Sequence, residues 1–506
     1  MAKTTEENVK PSRIKSALAS IDKQVPNLTY FGLAFWMVWN TIAFSGAFWL
    51  FDTDNSLRAE ELSMYHLIAS VVTMILVAAF SNKLKHLVCR NRVTITAAVL
   101  ATLGTLVVVG LRDDFLTMMF GTSDIGPIVM YLFNGSSIVT GASTTLLFMR
   151  AVPMFSALPP RKALTRFAAC YLLSSAVFFV AAGMGSNVGC VIFVLLPLMS
   201  GLLLSLRPPA ADEHVVLHTQ GKVKPDFLVF LISIVLISTV LSMMQSYVLI
   251  GTPAVSNISV HAWSQFMCII AMLVLILIAL FIKDRGKGII GLYSAVTVIV
   301  TIIVMASISF DAKSQLIAAF SATAVPTYNV IVWSMLAYIV YQSQAEALKV
   351  LNFGNAALAL GTVISAFITI AYHNGYIDSD TMRIVLVVFG FLVLLDVALV
   401  FNDKRLHSVI VPIDEKRLEP DVFGAMEDKP RKWEMNLDGI ADKYALTKRE
   451  REMFLAVAKG KTVQQIADAE TLSVYTVRAH IRNMYTKLDV HSKSELQDLI
   501  NRELQG

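Results

Sequence analysis

The feature that most constrains this chain is a series of apolar runs, each about as long as a bilayer is thick. A helix needs about 20 apolar residues to cross the hydrocarbon core. About twelve such runs occur, at 28–50, 62–80, 93–111, 126–149, 163–182, 187–205, 226–250, 262–282, 288–308, 316–341, 354–372 and 382–401. Composition agrees: 56% of the 506 residues are hydrophobic and 16% charged, where soluble domains carry about 25% charged residues. The expected fold class is therefore all-α, a polytopic bundle of about twelve spans with something soluble after it.

The longest polar break among the runs is 206–225, with Pro208, Pro209, Asp212, Glu213, Lys222 and Lys224. It divides the bundle into halves of six, 28–205 and 226–401, a layout typical of transporters with a pseudo-twofold. Loop charges set the orientation. With the N-terminus inside, the inner loops hold Lys83, Lys85, Arg90, Arg92, Arg150, Arg161, Lys162, Arg207, Lys222, Lys224, Lys283, Arg285, Lys287 and Lys349. The outer loops hold Arg58, Arg112, Lys313 and Arg383. This positive-inside bias predicts a multi-pass protein of the cytoplasmic membrane with both termini in the cytoplasm. The basic segment 1–27 is not followed by a short signal-peptide core, so the first run reads as a true span.

Past Val400 the character changes. Residues 402–445 are charged and punctuated by Pro412, Pro420 and Pro430, and read as a linker. Trp433, Leu437, Ile440 and Tyr444 suggest a short amphipathic helix at its end. Residues 446–506 read as a compact helical domain. Thr447-x-x-Glu450, Thr462-x-x-Gln465 and Ser492-x-x-Glu495 each fit a capping box, and Ser473 is a further N-cap candidate. They predict helices at about 448–459, 463–469, 474–488 and 493–503. Gly460 follows the first of these as a C-terminal glycine should. Short helices joined by tight turns are helix-turn-helix geometry.

The third of these helices carries the chemistry. Val474, Val477, Ile481, Met484 and Leu488 recur at helical spacing as an inner face, while Arg478, Ala479 and Arg482 lie opposite. No acid occurs from Ser473 to Leu488. A major groove admits one helix, and arginine pairs with guanine edges. By itself the pattern also fits an ordinary solvated amphipathic helix. The wider string decides: Leu446 to Glu452, Ile466-Ala467, Leu472-Ser473, Thr476 to His480 and Lys487 to Ser492 together resemble the LuxR-type helix-turn-helix. The resemblance covers about 60 residues and departs from the family at Glu470-Thr471. It implies base contacts by Arg478, Ala479 and Arg482 and phosphate contacts by Lys461, Thr476 and Lys487. It further implies a dimer contact through Leu496, Leu499 and Ile500. His480 and His491 sit at family-like positions and read as structural.

The whole layout resembles membrane-embedded LuxR-type regulators, with a major-facilitator-like bundle in front of the DNA-binding tail. That transporter family's glycine- and aspartate-bearing loop after the second span is absent from Ser81 to His86. Polar residues in spans are functional candidates by default. Asn40, Asn134 and Asn329, with Trp36, Tyr328 and Trp333, are placed near mid-membrane as a possible ligand cavity for a small, largely apolar or aromatic molecule. Interhelical hydrogen bonding is the alternative. Gln245 and Trp263 are placed nearer the outer side, and Arg166 and Asp396 near cytoplasmic span ends. The four cysteines form no C-x-x-C pair. With no Walker A sequence, serine elbow or H-E-x-x-H, no enzyme, metal site or cofactor is expected. The partners expected are double-stranded DNA, the lipid bilayer, a small-molecule ligand and a second copy of the chain. The resulting reading is a one-component transcription regulator; the competing ones are a secondary transporter with a regulatory tail and a membrane scaffold.

Overall fold

In the computed structural model the described residues are 28–43, 56–88, 90–111, 116–118, 121, 127–206, 226–250, 254–281, 291–299, 302, 315–343, 345–399, 440–441, 443–444, 446–458, 463, 466–467, 474–490, 495–496 and 499. The chain forms two compact units, Met1–Leu418 and Glu419–Gly506. Among the described residues both are helical, with no β-strand.

The first unit contains α1 (Phe31–Thr41, entered by a 3-10 turn at Leu28–Tyr30), α2 (Ser56–Ala79), α3 (Ser81–Val88) and α4 (Asn91–Gly110). It continues with α5 (Pro127–Ser156), α6 (Pro160–Gly183), α7 (Ser186–Leu204) and α8 (Asp226–Ile250). Next come α9 (Ala254–Phe281), α10 (Gln315–Ser343), α11 (Ala347–His373) and α12 (Ser379–Leu399). Eight helices among the described residues are long and apolar enough to cross a membrane, or nine if the pair α2 and α3, bent by 110°, counts as one. The expected spans at 28–50 and 288–308 are described only in part.

Helix α4 shows what solvent the unit is built for. Over its middle the buried face is small, Ala97, Ala98, Ala101, Gly104 and Thr105, with Val108 and Val109 buried beyond it. Its exposed face is large and aliphatic, with Val99, Leu100, Leu103 and Leu106 between 41% and 52% exposed. In water this arrangement would be inverted. In lipid, apolar side chains gain nothing by turning inward, and small residues let helix backbones approach.

Helix α2 runs along α11, and α6 along α9, so these pairs form the seam between the two halves. Helix α5 packs on α2 at Gly141, where an added Cβ would run into the carbonyl of His66. Gly361 does the same for α11 on α8, where a Cβ would meet Ser238 Oγ. Between α6 and α7, Gly185 turns the chain with φ +82°, directly before α7 begins at Ser186. Arg150, expected in an inner loop, lies inside α5 at 1% exposure. Its Nη2 donates to Asn91 Oδ1 at 3.2 Å, and Asn91 Nδ2 donates to the Ser205 carbonyl at 2.9 Å. The helix continues past the apolar run to Ser156, and the Asn91 amide oxygen accepts the guanidinium there.

In the second unit α13 spans Lys448–Ala458 and α14 spans Val474–Leu488, in the predicted places. Residues 463, 466–467, 495–496 and 499 are helical, where two further helices were expected. Of the proposed amphipathic segment before the domain, Ile440 and Ala441 are helical and buried; Trp433 lies outside the described residues. The domain has its own core, including Met453, Phe454, Ile466, Val477, Met484 and Leu488.

Candidate nucleic-acid interface and central cavity

The first helix of the tail domain is pinned by its capping box. Glu450 Oε2 accepts from the Thr447 backbone N–H and from Thr447 Oγ1, both at 2.8 Å. The Glu450 N–H in turn points at Thr447 Oγ1 at 3.4 Å. The same Oε2 receives Lys487 Nζ at 2.7 Å from the end of α14. One carboxylate therefore caps α13 and ties α14 to it. Burial raises the Glu450 carboxyl, but the Lys487 and Thr447 hydrogen bonds outweigh it and hold it at about 2, below the ordinary 4.5. The other two predicted capping boxes fall partly or wholly outside the described residues.

Helix α14 buries Val477, Met484 and Leu488, with Ile481 half-buried beside them. Its outer side shows Tyr475 at 85% exposure, followed at helical spacing by half-buried Ala479 and exposed Arg482, Asn483 and Thr486. Among the described side chains this face carries no acid. It ends cleanly. Asp489 takes φ 51°, and the Val490 N–H returns to the Tyr485 carbonyl at 3.1 Å, a Schellman-type cap.

The expected contact residues are distributed unevenly. Ala479 and Arg482 stand on the outer face. Arg478 is within α14, but its side chain is outside the described residues, as is all of Lys461. Thr476 is half-buried. Lys487, expected at a phosphate, has its ammonium on Glu450; spacing along one helix does not reveal a partner 37 residues away. Leu496, expected at a dimer contact, is 1% exposed in the domain's own core. Leu499 packs half-buried against that core, and Ile500 lies outside the described residues. Tyr475 was missed; its signal was a lone aromatic on the outer side of an amphipathic helix.

In the first unit a cavity of about 270 Å³ lies between the halves. Trp36, Asn40, Asn329 and Trp333 line it, as expected from the sequence. Asn134 and Tyr328 are not among the lining residues, which corrects their placement. Asn134 stands ten and eleven residues before Thr144 and Thr145, the α5 residues that do line the cavity, so it sits about 15 Å farther along the helix. Its Oδ1 is buried, with no hydrogen-bond partner among the described residues. Tyr328 is turned about 100° from Asn329 around α10, and its hydroxyl pairs with Tyr293 OH at 2.9 Å.

Several lining residues had no strong sequence signal. His66 sits between Thr140 Oγ1 at 3.3 Å and Thr144 Oγ1 at 3.4 Å. Gln265 accepts from Ser175 Oγ at 2.9 Å across the α6–α9 seam. Asn355 Oδ1 accepts from Trp333 Nε1 at 3.1 Å, and its Nδ2 points at Met74 Sδ at 3.3 Å across the α2–α11 seam. Gln245, placed near the outer side, also lines the cavity. Beneath it lies an aromatic layer. Trp333 is within 6.3 Å, ring centroid to centroid, of Trp36, Phe148, Phe167 and Tyr171. Phe155 stacks on Phe167 at 4.0 Å and meets Tyr30 edge-on at 5.3 Å. The Arg166 guanidinium caps Tyr30, 4.1 Å from its ring centre. Trp263 is exposed and is not among the lining residues. Asp396 Oδ1 accepts from Ser233 Oγ at 2.7 Å. No group of three or more metal-ligating side chains occurs among the described residues.

Residues 444–500 match the family described as bacterial regulatory proteins, luxR family. The tail is a luxR-family helix-turn-helix domain. The chain is 34% identical over 82 residues to the response regulator protein VraR of Staphylococcus aureus (strain Mu3 / ATCC 700698), and equally to that of Staphylococcus epidermidis. The similarity covers 16% of this chain and 36% of either relative, so the chain spans about a third of their length. The helical unit is similar in fold to a bacterial homologue of the iron transporter ferroportin solved in an outward-facing state. There the TM-score is 0.52 with 13% identity, over 78% of this chain and 100% of that one. The same homologue with soaked iron gives 0.51 and 14%, over 78% and 99%. At such identity the likeness shows the fold alone, and the luxR-type domain follows that unit in the chain.

Proposed function

We propose that this chain is a membrane-bound, one-component transcription regulator. Its luxR-type domain reads DNA through α14, and its helical unit responds to a small molecule. The observation that carries the reading is the outward face of α14, Tyr475, Ala479 and Arg482, free of acids in a domain of a DNA-binding family. By loop charge the bundle sits in the cytoplasmic membrane with both ends inside, and 402–445 links it to the domain. A ligand that binds one state of the bundle more tightly shifts the equilibrium by no more than that difference in affinity. A second copy would pair through surface around Leu499, since Leu496 is committed to the core.

The test is binding of operator fragments by the full chain in nanodiscs. Arg482→Ala and Arg478→Ala should each cost about 1–3 kcal/mol at the specific site and relax preference there. Unchanged site preference in both would refute base reading by this face. A secondary transporter with a regulatory tail is favoured by the fold likeness. Substrate accumulation in vesicles that persists after deletion of 446–506 would support it.

A further inference from the structure

The cavity has a consistent chemistry, and it is not that of an ion site. More than half of its lining residues carry a hydroxyl, amide or imidazole, and none is Asp, Glu, Lys, Arg or Cys. His66 is the one lining imidazole, and beside the thioethers of Met37 and Met74 it has no carboxylate or thiolate to complete an ion site. An ion brought here would leave water without a compensating charge, at a penalty of several kcal/mol. Two indoles, Trp36 and Trp333, present flat apolar surface to the same space. Two acceptor or donor groups there are short of partners. Ser365 is 1% exposed, and its hydroxyl has no hydrogen-bond partner among the described residues. Pro326, inside α10, has no N–H to return to the Ala322 carbonyl, and both residues line the cavity.

Depth adds a direction. The cavity reaches from its floor at Trp333 to Gln245, Ser246 and Ala322, within about two turns of one end of α8 and α10. Toward the opposite end the Phe148, Phe155, Phe167 and Tyr30 layer fills the bundle.

We propose that this cavity binds an uncharged small molecule bearing several hydroxyl or carbonyl groups around one flat apolar face, and that the ligand arrives from the end of the bundle opposite Tyr30 and Arg166. Trp36 and Trp333 stack on the flat face, and the ring of amides and hydroxyls reads its polar edge. Two kinds of molecule share this chemistry, monosaccharides and planar neutral heteroaromatics. The proposal rests on the sensor reading only for its consequence on DNA binding.

The test titrates the full chain in nanodiscs and follows tryptophan emission with probes matched in skeleton and different in charge. One arm is D-glucose, D-glucuronate and D-glucosamine; the other is nicotinamide and nicotinate; ferrous ion is the metal control. In one arm the neutral member should produce a saturable change, and its charged congeners should bind roughly 100-fold more weakly or worse. The responding arm identifies the class. Asn329→Ala should weaken that neutral probe about tenfold, as loss of one buried hydrogen bond does. Trp333→Phe should retain binding with a smaller emission change. Each variant is compared only after its melting matches the parent. Charged congeners or ferrous ion binding as tightly as the neutral probe would overturn the proposal. So would silence of every neutral probe up to its solubility, or unaltered affinity in Asn329→Ala. Operator binding is measured on the same samples without probe. Its loss would sink the regulator reading and leave the ligand result standing.

Discussion

Replacing Glu450 by Gln in the isolated 419–506 unit tests the tail's architecture most sharply. The side chain is 8% exposed, and its Oε2 collects the Thr447 N–H, the Thr447 hydroxyl and the Lys487 ammonium within 2.8 Å. Gln keeps an oxygen that serves the capping box but loses the charge that holds Lys487. The carboxyl stands at about 2 instead of 4.5 in the fold, a displacement whose ceiling is about 3.4 kcal/mol. That ceiling is too high. Lys487 is 38% exposed, and water and salt screen such a pair, so about 1–2 kcal/mol is expected. For a domain of this size that lowers Tm by roughly 5–12 °C. The sign with pH follows from the depressed folded value: the stabilisation is complete above the unfolded pKa near 4.5 and is lost as pH falls toward 2. Urea denaturation of parent and variant from pH 2 to 7 reads this directly. The two should differ at neutral pH and converge at the acid end. Lys487→Met should cost about as much, and the double variant little more than either single one. A stability gap that stays constant from pH 2 to 7, or strictly additive single variants, would refute the shared-carboxylate account.

Other consequences are simpler to check. Lys487→Ala should lower the domain's melting temperature as well as any DNA affinity, whereas Arg482→Ala should leave melting within about 0.5 kcal/mol of the parent because it sits on the open face. Asp489→Val should destabilise the domain by about 1–3 kcal/mol, since a β-branched residue fits poorly at φ 51°, while Asp489→Gly should be neutral or better; equal melting of all three would show that the cap is dispensable. Gly141→Val should lower the detergent-phase melting of the full chain by about 1–3 kcal/mol, because the new side chain forces α2 and α5 apart at His66; unaltered melting and unaltered probe binding would mean that this contact does not hold the cavity wall.

Much of this protein is written at short range. A run of about 20 apolar residues is enough to specify a spanning helix, because lipid leaves the backbone no other partner than itself. Capping boxes act within four residues, so α13 began where Thr447 and Glu450 put it. The amphipathic period placed the buried Val477, Met484 and Leu488 and, by subtraction, the outward Ala479 and Arg482. The motif strings carried the luxR resemblance for the same reason: they encode local turns and one helix face.

What local pattern could not decide was which partners distant residues find. Asn40 and Asn134 look alike as amides in apolar runs, yet one lines the cavity and the other lies elsewhere on its helix. Tyr328 and Asn329 are neighbours in sequence and point about 100° apart. His66, Gln265 and Asn355 join the cavity only because α2, α9 and α11 meet other helices there. Arg150 is buried because Asn91 receives it, Leu496 is core because the domain folds over it, and Lys487 is held by a carboxylate 37 residues away. The sequence by itself determined the long apolar helices, the cap at Thr447 and Glu450 and the family of the tail, which depend on local spacing. Only the tertiary structure decided the cavity walls and the Glu450 contact of Lys487, because those depend on which faces of separate helices are brought into contact.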